Sequence, residues 1–75
     1  MKIREFIEGL NILSGYFDGG DGYHIGAEHD QFYVYATHKP LTDEDVAKLR
    51  ELGWFQPDLD EDAPYSPEDG WSCFV

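Results

Sequence analysis

The stretch from Leu41 to Trp54, LTDEDVAKLRELGW, specifies a helix at both of its ends. Thr42 is placed to cap the free N–H groups of the first turn. Asp43, Glu44 and Asp45 then bring negative charge to the positive end of the helix dipole. Leu41 before the cap and Val46 after it can close over the helix start as a hydrophobic staple. Val46, Leu49 and Leu52 continue one apolar stripe. Gly53 can take the left-handed conformation that ends a helix, and Trp54 can fold back on Leu49. The pattern predicts a helix over 42–52.

Reading outward, Ile3, Phe6, Ile7, Leu10 and Leu13 fall at helical spacing and predict a first helix of about 12 residues. Gly15 ends it, and a flexible loop follows over 15–22, through Asp18-Gly19-Gly20-Asp21-Gly22. Tyr23 to Glu28 and Phe32 to Thr37 alternate as two strands joined by His29-Asp30-Gln31, which predicts a hairpin. Tyr23, Ile25 and Ala27 share one face of the first strand, Phe32, Val34 and Ala36 share one face of the second, and the hairpin is expected to bury this aliphatic set. His24, Glu28, Tyr33 and Tyr35 are left on the wetter side. Downstream, Trp54-Phe55-Gln56 can begin a third strand before Pro57 weakens it, and Trp71 to Val75 forms the last one. An acidic loop broken by Pro64 and Pro67 spans 57–70 between them. The expectation is one α+β domain over 1–75 in the order α-β-β-α-β-β. Its four-stranded, mainly antiparallel sheet would carry two helices on one face. Phe6, Ile7, Leu10, Ile25, Val34, Val46, Leu49, Trp54 and Phe74 are the expected core.

Composition bounds the function. In 75 residues there is chain for one core, and 41% apolar content is enough to build it. Sixteen Asp and Glu against five Lys and Arg leave a formal net charge of −11. That field repels phosphate, which argues against direct contact with DNA, RNA or anionic lipid and for basic partners, cations or simple solubility. Cys73 is the single cysteine, so no intramolecular disulfide can form and a reducing, cytoplasmic setting is expected. Between Ser72 and Phe74 it reads as a buried small hydrophobe. No run approaches the roughly 18 apolar residues of a membrane span, and Glu5 and Glu8 interrupt any signal core. The chain reads as cytosolic and complete.

Motifs for chemistry are weak. Asp58, Asp60 and Asp62 match the first ligands of an EF-hand loop, with Asp69 in the final ligand position. Ala63 stands where the turn needs glycine, Pro64 follows, and Trp71 leads a strand where a helix should begin. His24, His29 and His38, with Glu28 and Asp30, follow no zinc-ligand spacing and read as surface residues. Ser14, Ser66 and Ser72 sit in no nucleophile context, Cys73 has no nearby histidine, and the glycine-rich 18–22 stretch lacks lysine and would repel phosphate. The expectation is therefore no enzyme, no metal and no cofactor.

What remains is surface. From Glu51 to Val75 there are seven acidic residues and no basic one. The Ala27-Glu28-His29-Asp30 turn, the Leu52-Gly53-Trp54 helix exit and the Trp71 to Val75 ending, with the small acidic α+β chain around them, resemble small accessory proteins of bacteriophages and mobile elements. Among these are anti-CRISPR and antirestriction proteins that mimic nucleic acid. The resemblance implies a non-enzymatic inhibitor of a basic nucleic-acid-handling protein, a CRISPR effector subunit or a restriction enzyme, acting in a bacterial cytosol. The residues read as carrying that contact are Asp43, Glu44, Asp45, Asp58, Asp60, Glu61, Asp62, Glu68 and Asp69, with Tyr33 and Tyr35 beside them on the open sheet face. Two alternatives stand next to it. One is an accessory or assembly subunit whose acidity serves only solubility, and the other is a divalent-cation module built on the 58–69 loop.

Overall fold

A computed structural model describes residues 1–18, 22–60 and 62–75. Gly19, Gly20 and Asp21 of the expected flexible loop, and Glu61 of the acidic set, lie outside the described residues. The elements are α1 (Ile3–Ser14), β1 (Ile25–Glu28), β2 (Gln31–Val34), α2 (Asp43–Glu51) and β3 (Trp71–Phe74), with the sheet in the order β1-β2-β3 and both pairings antiparallel. The molecule is α+β, and no helix among the described residues is long and apolar enough to cross a membrane.

The best-specified helix forms as its sequence dictates. The Asp45 N–H donates to Thr42 Oγ1 at 3.2 Å. At the other end Gly53 has φ of 97°. Trp54 N–H reaches the Leu49 carbonyl at 2.9 Å and Gly53 N–H the Arg50 carbonyl at 3.1 Å, the paired bonds of a Schellman ending. α1 begins less strongly, with the Lys2 N–H donating to Glu5 Oε1 at 3.1 Å.

Val34, Trp71 and Cys73 face one side of the sheet, and Leu13, Leu41, Val46, Leu49 and Trp54 close over them as one buried cluster. Both helices contribute to it. Trp54 is its hinge pin. Its indole stacks on Phe6 with ring centroids 6.0 Å apart, and a Cβ at Gly9 would collide with it, so α1 can seat on Trp54 only with glycine at position 9.

Several expectations are corrected. The sheet has three strands, because Trp54-Phe55-Gln56 makes only one antiparallel bridge, Phe55 to Ser72. Gln56 turns its side chain into the following loop and Pro57 removes the next donor, so the pairing cannot extend. The hairpin turn is only His29-Asp30, with Gln31 already in β2, and the strands span 25–28 and 31–34. His29 holds φ of 51°, which lets two residues close the ladder. Ile7, Ile25 and Phe74 are not core. Ile7 lies on the outer shoulder of α1, Ile25 sits at the sheet edge and is 58% exposed, and Phe74 points to the opposite sheet face against Phe55.

Candidate functional site

The sheet face away from the core carries Gly26, Glu28, Gln31, Tyr33 and Ser72. Tyr33 and Tyr35 lie there as their alternation requires, and Gly26 leaves room for Tyr35, whose hydroxyl lies 3.4 Å from where a Cβ would be. The Tyr33 hydroxyl lies within reach of Gln31 Oε1 at 3.2 Å and Glu28 Oε2 at 3.4 Å. Loss of water contact first, then the Glu28 and Asp30 carboxylates, raise the phenol further above its ordinary range. Beneath it Gln31 Nε2 donates to Ser72 Oγ at 2.8 Å, and that hydroxyl donates to the Phe32 carbonyl at 2.8 Å.

The acidic loop folds back along this face. Gln56, a buried polar residue, holds it there: its Nε2 donates to the Ser66 carbonyl at 2.8 Å and the Asp69 carbonyl at 3.1 Å, and its Oε1 accepts from Ser66 N–H at 3.0 Å. Gly70 permits the return, because a Cβ there would strike the Val34 carbonyl. The result is an open cleft of about 630 Å3 walled by Tyr33 and Tyr35 on one side and by Asp58, Glu68 and Asp69 on the other.

The remaining candidates lie elsewhere. Asp60 borders a separate hollow with Arg50, Leu59 and Phe74, and Asp62 is exposed nearby. Asp43 and Glu44 are exposed at the start of α2. Asp45 is committed internally: its carboxylate accepts a short bond from the Tyr16 hydroxyl, which itself accepts from Thr42 N–H at 3.2 Å. The candidates therefore form one cleft and two outlying groups. Among the described residues the ion pair of a Lys or Arg with a carboxylate is Lys48 with Glu8 at 3.3 Å, so no candidate carboxylate is neutralised by a cation.

Among the described residues no three His, Cys, Asp or Glu side chains are gathered as a metal site. His24 and His38 are not isolated surface residues, however. Their rings meet edge to face at 5.0 Å, His24 stacks on Phe17 at 4.4 Å, and His38 Nδ1 accepts from Asp18 N–H at 3.0 Å. Cys73 is fully buried, and burial pushes its thiol up, which keeps it protonated.

Gln56, Tyr16 and Gly70 are the residues that sequence reasoning missed. A glutamine just before Pro57, at the end of an aromatic pair, was the available sign of a side chain turned inward. Comparison with protein-family models, with curated proteins and with solved structures finds no match. The fold and cleft thus define a small acidic α+β protein with an aromatic and carboxylate-lined face.

Proposed function

We propose that this is a non-enzymatic interaction protein that presents carboxylates to a basic nucleic-acid-handling protein and occupies its substrate surface, in the manner of an anti-CRISPR or antirestriction mimic, in a bacterial cytoplasm. The observation that carries the reading is the convergence of Tyr33, Tyr35, Asp58, Glu68 and Asp69 on one cleft, with none of its carboxylates paired to a cation among the described residues. Unpaired carboxylates beside aromatic faces suit Lys and Arg side chains, which meet the acids by charge and the rings by cation–π contact. A net charge of −11 steers a basic partner toward that surface. Asp43, Glu44, Asp60 and Asp62 extend the field beyond the cleft.

The test is inhibition of purified CRISPR effector complexes and restriction endonucleases, with duplex DNA and guide-bound RNA as competitors. The triple variant Asp58→Asn, Glu68→Gln, Asp69→Asn should lose at least tenfold in affinity, and wild-type binding should weaken steeply with salt. Binding that is indifferent to both salt and competing nucleic acid would defeat the mimic reading and leave acidity as a solubility device.

A further inference from the structure

The two edges of the sheet differ. The outer edge of β3 is closed by Phe55, whose N–H donates to the Ser72 carbonyl at 2.9 Å and whose carbonyl accepts from Ser72 N–H at 2.7 Å. The outer edge of β1 has no such cover among the described residues. Tyr35 N–H donates to the His24 carbonyl at 2.8 Å. The opposed pairs His24–Tyr35, Gly26–Tyr33 and Glu28–Gln31 therefore carry the ladder bonds, and Ile25 and Ala27 direct their N–H and C=O groups outward. Neither proline nor a bulge protects this edge, and Glu28 at its end is its one charge.

Beside that edge, on the core face of the sheet, lies a cavity of about 250 Å3 between α1 and β1. Leu10, Leu13, Phe17, His24, Ile25 and Val34 line it. Ile25 is 58% exposed while its cross-strand partner Val34 is 3% exposed, so α1 covers β2 and leaves β1 open.

We propose that this groove receives an extended peptide segment of a partner protein. The segment pairs with Ile25 and Ala27 as a further strand, sets one aliphatic or aromatic side chain into the cavity, and carries Lys or Arg beside it. Outward main-chain groups at alternate positions are complementary to an extended backbone and to little else. The cavity is smaller than the roughly 300–1,000 Å3 of small-molecule sites, which fits one side chain. Basic flanks follow from the net charge of −11 and from Glu28 and Asp30 at the end of the strand. The same charge disfavours a second copy of this chain, since two such molecules repel. The groove lies on the opposite sheet face from the tyrosine cleft and does not depend on the function proposed for it.

A displayed library of random heptapeptides, selected on the immobilised protein, tests this. Ala27→Pro removes an N–H that the β1–β2 ladder does not use, at an edge where proline is tolerated. Ile25→Lys blunts the same edge without altering the backbone. Selected peptides should carry one apolar residue among Lys or Arg, shift the Ile25 and Ala27 amide resonances, and bind both variants at least tenfold more weakly, with the urea midpoint of each variant showing it folded. The proposal is overturned if the library enriches equally on Ala27→Pro or if both folded variants bind like the parent. It is also overturned if shifts fall only on residues 58–69. Movement of the Ile25 and Ala27 amides with protein concentration alone would assign the edge to a second copy and overturn it too.

Discussion

Gln56 shows how much one buried polar side chain can organise. Its amide satisfies two carbonyls and one N–H of the acidic loop, and replacing it with leucine would strand all three partners. Gln56→Leu should cost roughly 1–3 kcal/mol in urea unfolding. It should also loosen the wall formed by Asp58, Glu68 and Asp69, seen as faster amide exchange across 57–70. Cys73 makes a different prediction. Its thiol is raised by burial, so the unfolded chain releases the proton first. Stability from this group is intact below about pH 8.5 and is lost as pH rises through that value toward the folded one. Wild type should therefore lose more stability between pH 7 and 10 than Cys73→Ala does. Alkylation of Cys73 by iodoacetamide should be slow until urea unfolds the chain.

At the scale of elements, α2 is held by its caps and by Leu49, which is completely buried. Leu49→Ala should cost about 2–5 kcal/mol and Thr42→Ala about 1 kcal/mol, both read from urea midpoints. The sharper test is Gly9→Ala in α1. In an exposed helix interior this change stabilises by roughly 1 kcal/mol. Here the new methyl would meet the Trp54 indole, which cannot retreat without leaving Phe6, so the sign should reverse. A higher melting temperature for Gly9→Ala would show that α1 does not seat on Trp54.

Over the whole molecule, charge is the dominant quantity. Sixteen carboxylates against five basic residues make the folded state repel itself, and the Lys48–Glu8 pair is a surface contact worth at most about 1 kcal/mol. Raising sodium chloride from 10 to 500 mM should therefore raise the melting temperature, as the screening length falls from roughly 30 Å toward a few Å. Calcium and magnesium should act alike in excess of sodium; a calcium-selective rise would instead point to a site in the 58–69 loop.

Much of this protein was legible from local chemistry. Thr42, Gly53 and the stripe between them determine α2 because capping and helical period act within one or two turns. The alternation from Ile25 to Val34 determines the hairpin and the faces of Tyr33 and Tyr35 because a strand inverts its side chains at every residue. The candidate carboxylates were readable as a set, since acidity is a property of composition. Their grouping was not. Asp58, Glu68 and Asp69 share a cleft while Asp60 and Asp45 do not, and that depends on where Gln56 ties down the loop and on Tyr16 reaching Asp45 across 29 residues of chain. The missing fourth strand, the buried Gly9 and the open edge of β1 have the same origin. Each is decided by what packs against it from a distant part of the sequence, where glycine and glutamine carry no apolar signal and an edge strand has the same alternation as a central one.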